Sequence, residues 1–483
     1  MYKFGFLLLI FLLNGIMSSM AQSEKKHVVL PQELMDIMQN DSSGKLYIFS
    51  VLIEGNRRTK ERIILREMAY KQGDSIPVSH LYEILEEARS LIYNTNLFSL
   101  VEVRVEMNSA FAINIHIKLI ERIYLVPSPE FTLSDRNFNE WWKTYNADLD
   151  RITYGVKIRH SNLTGNADRI SLFAMNGFSR LLSLQYTTPY VNKEMTKGIS
   201  AGITYTRQRE LIYKTTFENK LLTYRKENYI NENFFIQMSY LIRKGFYTKQ
   251  NLQFNLTIFQ VDDSILDARY NPDYFLTGTT NFIMPEISYT HQYIKTDNVN
   301  YPRAGRLLNL RLAKRGIGWS GDMNALMLDA SYKWYRPINK HWFYSWQMAT
   351  KIRMPFKQPY LNRLAFGYAD YYLRGLEFRV IDAVASGIQK FTLTRGIMDR
   401  RIKIPLRNRY IPFLPVKLYL KSYADVGYAY DRPENRTRLS NKLLYTGGVG
   451  LDVLTLYDIQ ASFEYSLNQL NEKGLFLRVR GFL

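Results

Sequence analysis

Arg374 and Asp425 are the two residues of this sequence whose types and setting point to a definite chemistry. Arg374 lies in Tyr372-Leu373-Arg374-Gly375, an arginine–glycine turn, and Asp425 follows in Tyr423-Ala424-Asp425-Val426-Gly427. A planar guanidinium makes two parallel hydrogen bonds to one carboxylate, which fixes orientation as well as charge. Gly375 lets the backbone turn tightly beside it. Such a pair binds and orients; it does not by itself react. The residues that could catalyse lack the required spacing. His27, His80, His116, His160, His291 and His341 are scattered without metal-ligand spacing. Gly316-Ile317-Gly318-Trp319-Ser320-Gly321 fits G-x-G-x-x-G, but no helix or βαβ unit follows it. No G-x-S-x-G elbow exists, and Asp262-Asp263 reads as a loop pair. With no cysteine there is neither a disulfide nor a thiolate metal site. The expectation is a protein that is not an enzyme and has no catalytic, cofactor or metal residue.

A pair so far apart in the chain needs other elements to bring it together. From about Ile123 onward the chain reads as nearly all β. Ile199, Ala201, Ile203 and Tyr205 alternate with Ser200, Gly202, Thr204 and Thr206. Leu252, Phe254, Leu256 and Ile258 do the same, as do Leu326 to Trp334 and Ile459 to Leu467. Runs of ~10 residues with one apolar face suit strands with lipid outside and a wet inner face. Strands of soluble sandwiches are shorter, ~5–6 residues. The 36 Tyr, 27 Phe and 6 Trp fit the aromatic girdles of such a barrel. Trp141-Trp142 interrupts the β pattern and reads as a short interfacial segment.

Met1 to Ala21 reads as a signal peptide, with Lys3 ahead of the apolar run Phe4 to Leu13 and small residues at Ser19-Met20-Ala21. No second long apolar run follows, so an exported chain of this kind is soluble or a barrel. The net charge of +20 points in that setting to lipid headgroups or a polar lumen, with no nucleic-acid partner. Residues 22–46 are expected to be a short N-terminal segment, with Pro31 to Gln39 either one helix or disordered.

Residues 47–122 read as a small α+β unit of order β-α-α-β-β. Tyr47 to Glu54 alternates as a strand and Gly55-Asn56 turns. Thr59 is expected to cap a helix carrying Ile63, Ile64 and Met68. Ser79 is expected to cap a second helix with Leu81, Ile84, Leu85, Ala88 and Leu91 on one face. Leu100 to Met107 and Phe111 to Leu119 close the unit as strands.

These residues together resemble a known family. Ile53-Glu54-Gly55-Asn56 with Thr59, then Ile64-Leu65-Arg66-Glu67-Met68, then Asn94-Thr95-Asn96-Leu97-Phe98 resemble a POTRA domain. The Arg374-Gly375 turn with Asp425 and Gly427 resembles the signature of the BamA/TamA family of outer-membrane barrels. Leu376 departs from the aromatic usual after that glycine. Asn162-Leu163-Thr164-Gly165 looks like the family's first hairpin, and Asp297-Asn298 with Tyr301-Pro302 and Gly305 like its mid-barrel turn. Glu472, Gly474, Leu477 and Val479, with Phe482 near the end, resemble the signal carried by the last strand of barrels.

The resemblance implies a mainly β fold: residues 123–483 as a transmembrane antiparallel barrel of about sixteen strands, preceded by one POTRA domain. It implies the outer membrane of a Gram-negative bacterium, with the POTRA domain in the periplasm. Arg374 would hold a long extracellular loop in the lumen. The seam between a first strand near Ile152 to Arg159 and a last strand near Gly474 to Arg480 would act as a lateral gate. The implied partners are unfolded outer-membrane or secreted clients, the lipid bilayer, lipopolysaccharide and accessory lipoproteins. The alternatives left open are a dedicated secretion pore for one partner and a porin-like channel.

Overall fold

The computed structural model describes residues 27–40, 43–133, 141–142, 146–276, 278–316, 323–368, 370–403 and 413–480. The expected signal peptide, Phe482 and residues 317–321 of the glycine-rich stretch lie outside the described residues.

Residues 28–121 build an α+β unit. Its five-stranded sheet has the spatial order Val28–Val29, Phe98–Ser109, Ala112–Glu121, Lys45–Glu54, Ser75–Pro77. In Ala112–Glu121 the buried residues Ile113, Ile115, Ile117 and Leu119 alternate, as one covered sheet face requires. They meet Leu81, Leu85, Ala88 and Ile92, which recur every three to four residues along the helix Leu81–Tyr93. Residues 28–40, read from sequence as a segment apart, join the same core. Val28 pairs with Val103, and Leu34 of the helix Gln32–Asn40 is buried in it.

The helix starts differ from expectation. Lys60, not Thr59, is the residue before the short helix Glu61–Leu65. His80 precedes Leu81–Tyr93, and Ser79 lies in a preceding 3-10 turn. Neither helix has a side-chain cap; Thr59 is drawn to a carboxylate described below, and Ser79 is taken up in the 3-10 turn.

Sixteen antiparallel strands form the barrel, from Leu125–Leu133 to Lys473–Arg480, each hydrogen-bonded to its neighbours along the chain. Residues with odd numbers in Lys197–Gln208 face out, and Ile199 and Ile203 are about half exposed. Their even-numbered neighbours face the lumen. The first barrel strand is Leu125–Leu133, and Ile152–His160, expected to be first, is the second. Pro127 and Pro129 hid it, because proline is tolerated in a sheet only at an edge or bulge and argues against a strand when met in sequence. Trp141-Trp142 lies in the connection between these two strands, with Trp141 buried and its Nε1 donating to the Asp148 carbonyl at 2.8 Å.

Candidate functional site

The connection 355–384 joins strands Trp342–Met354 and Ala385–Lys403 and folds back into the barrel. Its own small hairpin pairs Leu364–Phe366 with Ile381–Asp382. Phe366, Tyr371, Leu373, Leu376, Ile381 and Ala383 pack against Ile388, Ala429 and Leu444 of the wall. Leu376, the departure from the family pattern, is a buried member of that cluster. Burying such side chains contributes about 1.5–3 kcal/mol each before ordering costs.

Arg374 stands at the inner tip of this connection. Its Nε donates to Asp425 Oδ2 at 2.9 Å and Nη2 donates to Oδ1, while its backbone N–H donates to Oδ2 at 3.0 Å. Nη1 donates to Thr392 Oγ1 at 3.0 Å, and the guanidinium lies 4.0 Å from the Tyr423 ring centre. Arg374 is 7% exposed and Asp425 0%. Burial works against the Arg374 charge, but the hydrogen bonds and charge of Asp425 outweigh it and hold its pKa above the ordinary value. Nearby, burial pushes the Asp382 carboxyl up to about 6.

Two glycines make room for the tip. Gly375 has φ +91°, and a Cβ there would meet Ser466 Cβ at 2.8 Å. A Cβ on Gly427 would meet Leu373 Cδ1 at 3.0 Å.

The loop also holds the last strand. Glu377 pairs with Arg478, Arg379 with Glu472 at 2.5 Å, and Arg480 Nη2 donates to Tyr372 Oη at 2.9 Å. Phe378 and Phe476 lie with ring centres 5.4 Å apart. Asn468 Nδ2 donates to the Gly375 carbonyl at 2.8 Å. Gly474 stands against the Phe476 ring, while Leu477 and Val479 point outward and are exposed. A cavity of about 390 Å³ remains beside the loop, lined by Tyr372, Lys390, Asp452, Glu464 and Arg480 among others.

The N-terminal unit docks on turns at the other end of the barrel. Glu67, 1% exposed, accepts two hydrogen bonds at 2.6 Å from Arg243 Nη1 and Nη2. Arg66 donates to the carbonyls of Met195 and Gly245, each at 3.0 Å. Thr59 donates through Oγ1 and its backbone N–H to Glu121 at 2.8 Å and accepts from Asn162 Nδ2 at 2.9 Å. Arg58 donates to the Asn162 carbonyl at 2.8 Å. Asn94 and Asn96 reach Thr296, Val299 and Asn300 of the mid-barrel turn. Tyr93 Oη donates to Asp458 at 2.8 Å. His27 approaches Arg401, and burial with the neighbouring Arg89, Arg401 and Lys417 charges lowers its pKa to about 4.

The motif residues of this unit divide by task. Gly55 has φ +95° and lies so close to the Leu119 carbonyl that a Cβ would be 2.0 Å from its oxygen. Asn56 Nδ2 donates to the Thr59 carbonyl at 3.2 Å. Leu97 and Phe98 are core residues, whereas Thr59, Arg66 and Glu67 face the barrel turns. Arg243, Glu121 and Asp458 are unmarked in the sequence, and Asn162 stands out there only as part of a hairpin. Their partners are 62 or more residues away in the chain, and nothing local signals these pairings.

The two edge strands of the barrel do not meet as a ladder. Among the described residues, no pairing joins Leu125–Leu133 to Lys473–Arg480.

Family models match both parts of the chain. An Omp85 superfamily domain matches residues 162–377, and a POTRA model described as surface antigen variable number repeat matches residues 46–122. No curated protein matches. Among solved structures, CdiB from Escherichia coli aligns with a TM-score of 0.52 at 12% identity, over 91% of this chain and 75% of that one. BamA from Haemophilus ducreyi lacking POTRA domains 1-3 aligns at 0.48 with 14% identity, over 90% and 84%. At such identity the CdiB likeness speaks to fold alone, and it agrees with the sixteen-stranded sheet. The chain thus carries one POTRA domain followed by an Omp85 superfamily domain, set within a sixteen-stranded barrel sheet.

Proposed function

We propose that this protein works in the outer membrane, where it inserts barrel proteins into the bilayer or exports substrates across it, with its POTRA domain in the periplasm. The open seam carries the reading. Hydrocarbon offers no hydrogen bonds, so a spanning sheet must pair every backbone group or keep it from lipid. Two edges left unpaired toward each other invite a third strand, and a client strand supplies one by edge addition. The outer wall supports the membrane setting, since Leu182, Leu184, Leu252, Leu312, Leu475 and Val479 are exposed and apolar. No nucleotide enters this reading, because client folding supplies the free energy.

The test is depletion followed by proteomics of outer membrane and medium. The chain lacks cysteine, so pairs introduced one in Leu125–Leu133 and one in Lys473–Arg480 can lock the seam cleanly. Depletion removes many barrel proteins for a general insertase, or a few surface or secreted proteins for a dedicated translocator. The locked protein fails to restore them until reduced. Unchanged proteomes after depletion would turn the reading toward a channel. Restoration by the locked protein would remove the gate.

Lipopolysaccharide contact is part of the same proposal. At the end of the wall far from the POTRA domain, Arg180, Arg207 and Arg209 surround the Tyr229 ring at 5.1, 4.6 and 5.3 Å. Glu232, paired with Arg207 at 2.5 Å, is the carboxylate among them. Arg207 and Arg209 each leave a buried Nε without a hydrogen-bond partner among the described residues. Guanidinium forks of this kind suit phosphate on a glycolipid headgroup. Basic residues at an anionic membrane surface contribute about 1 kcal/mol each, so removing three weakens binding on the order of a hundredfold. Native mass spectrometry of the Arg180→Gln/Arg207→Gln/Arg209→Gln protein, extracted from the membrane, checks this through its retained lipid A. Retention equal to wild type excludes the site.

A further inference from the structure

The outer wall at the POTRA end carries cations that no carboxylate answers. Along Gly305–Arg315, Leu310 and Leu312 are exposed and apolar, whereas Arg311 turns inward to Glu286 and Asp329. Side chains alternate across a strand, so Arg306 stands on the outward face with Leu310 and Leu312. The same alternation puts Trp334 and Arg336 outward with Leu326, Trp342 and Tyr344 outward with Met348, and Arg395 outward with Leu393. These residues lie side by side on four neighbouring strands, with Arg306 opposite Trp334, Arg336 opposite Tyr344 and Trp342 opposite Arg395. They border turns 297–304 and 338–341, and the first of these turns meets Asn94 and Asn96 of the POTRA domain. Each guanidinium lies beside a ring: Arg306 is 5.5 Å from the centre of Tyr293, Arg336 6.0 Å from that of Trp334, and Arg395 5.6 Å from that of Trp342. Such a ring steadies a guanidinium without using up its N–H donors. No Asp or Glu occupies an outward position in Asn281–Thr296, Gly305–Arg315, Ala325–Pro337 or Trp342–Met354. Glu87 of the POTRA helix approaches this edge, but it pairs with Lys295 at 3.3 Å.

We propose that this belt binds the anionic headgroups of glycerophospholipids in the periplasmic leaflet: Arg306, Arg336 and Arg395 donate to the phosphates, and Trp334, Trp342 and Tyr344 lie against the glycerol and the upper acyl chains. This rests on the membrane setting proposed above and adds to it a lipid class for one face of the wall. Amphipathic rings settle at headgroup level, and the wall beyond them, at Leu310, Leu312 and Leu326, is apolar. The guanidiniums therefore stand at the depth of the lipid phosphates. Arg306 and Arg395 are three strand spacings apart, roughly 14 Å at ~4.8 Å each. The belt thus holds a row of headgroups and not one chelated phosphate. A zwitterionic headgroup brings its own ammonium, which three cations repel, whereas an anionic one brings none. The glycolipid contact at Arg180, Arg207 and Arg209 lies at the opposite end, so the two ends of the wall select different lipids.

Trp334, Trp342 and Trp346, half of the six tryptophans of the chain, make the belt its own reporter. The full chain is reconstituted in phosphatidylcholine vesicles, and bromine-labelled phosphatidylglycerol or bromine-labelled phosphatidylcholine is added at a series of mole fractions. Tryptophan quenching then gives the relative binding constant of the two lipids. Phosphatidylglycerol is expected to be preferred by at least about tenfold, the ratio that one to two well-placed basic residues give. Arg306→Gln/Arg336→Gln/Arg395→Gln is expected to bring the ratio to about one, and Arg180→Gln/Arg207→Gln/Arg209→Gln to leave it unchanged. Equal quenching by the two lipids in wild type overturns the proposal and leaves the membrane reading standing, and this arm needs no variant. A preference that survives in the first triple variant, compared as a folded barrel, also overturns it by placing the selection elsewhere. Quenching by neither lipid would show that this wall does not face a bilayer, and the membrane reading would fall with the site.

Discussion

Arg374→Ala raises the conductance of the purified protein in planar bilayers from a low, flickering level to longer and larger openings. The substitution removes one half of a fully buried pair and leaves the Asp425 carboxylate without its strongest donors. Breaking a buried pair in this way costs about 3–5 kcal/mol, because the remaining charge is desolvated and uncompensated. That is far more than the ~1 kcal/mol or less of an exposed pair. The loop is not released completely, since Leu373, Leu376, Ile381 and Phe366 still pack on the wall. The expected state is therefore an exchange between seated and lifted loop, which reads as flicker. Arg374→Lys keeps the charge but loses the fork, and is expected to fall between wild type and alanine. Arg374→Ala/Asp425→Ala is expected to be less damaging than the sum of the two single changes, because no orphaned charge remains. Identical conductance in wild type and Arg374→Ala would show that the pair does not hold the loop.

The same loop bears on the gate. Glu377, Arg379 and Tyr372, close to Arg374 in sequence, hold Arg478, Glu472 and Arg480 of the closing turn and last strand. Lifting the loop thus frees the inner face of the strand whose open edge borders the seam. One short stretch, residues 372–379, carries both the latch and the contacts to the last strand and its turn.

How much of this was legible in the sequence depends on the range of the interaction. The alternation at Ile199, Ala201, Ile203 and Tyr205 is local and was read directly, because side-chain period in a strand is fixed by the pleat. The Arg374–Asp425 pair spans 51 residues and became readable through its resemblance to a family signature, since neither residue is distinctive alone. The first barrel strand was misplaced for a physical reason. Prolines at 127 and 129 are poor strand residues everywhere except at an edge, and being an edge is a property of the assembled sheet. Thr59 fitted a helix cap by position, but Glu121, 62 residues on in the chain, accepts from its hydroxyl. The docking surface was not legible: Asn94, Asn96 and Glu67 stand out in the sequence only as part of the POTRA resemblance, and their partners lie on barrel turns 176 or more residues away.

Glu67→Ala is expected to release the POTRA domain from the barrel mouth. Glu67 is almost fully buried between the two parts and neutralises Arg243, with Arg66 close by. Without it, two guanidiniums face each other across a largely dehydrated contact. The loss again belongs to the class of about 3–5 kcal/mol. It is opposed by Thr59–Asn162, Tyr93–Asp458 and the Asn94 and Asn96 contacts, each a hydrogen bond with a net contribution of about 0.5–1.5 kcal/mol. Those bonds are distributed around the rim, so the domain tilts away from the Arg243 side first. Spin labels at Phe111 on the domain and Lys340 in a barrel turn would report this, with one narrow distance in wild type and a second, longer population in the variant. Arg243→Ala should give the same broadening, and Glu67→Arg/Arg243→Glu should recover part of the narrow population by restoring opposite charges. A single unchanged distance in Glu67→Ala would place the hinge elsewhere on the rim. With the domain tilted, access to the rim widens, and the rate of client delivery should rise with the fraction undocked. That separates gating at the POTRA contact from gating at the loop, because Arg374→Ala opens the lumen without moving the domain.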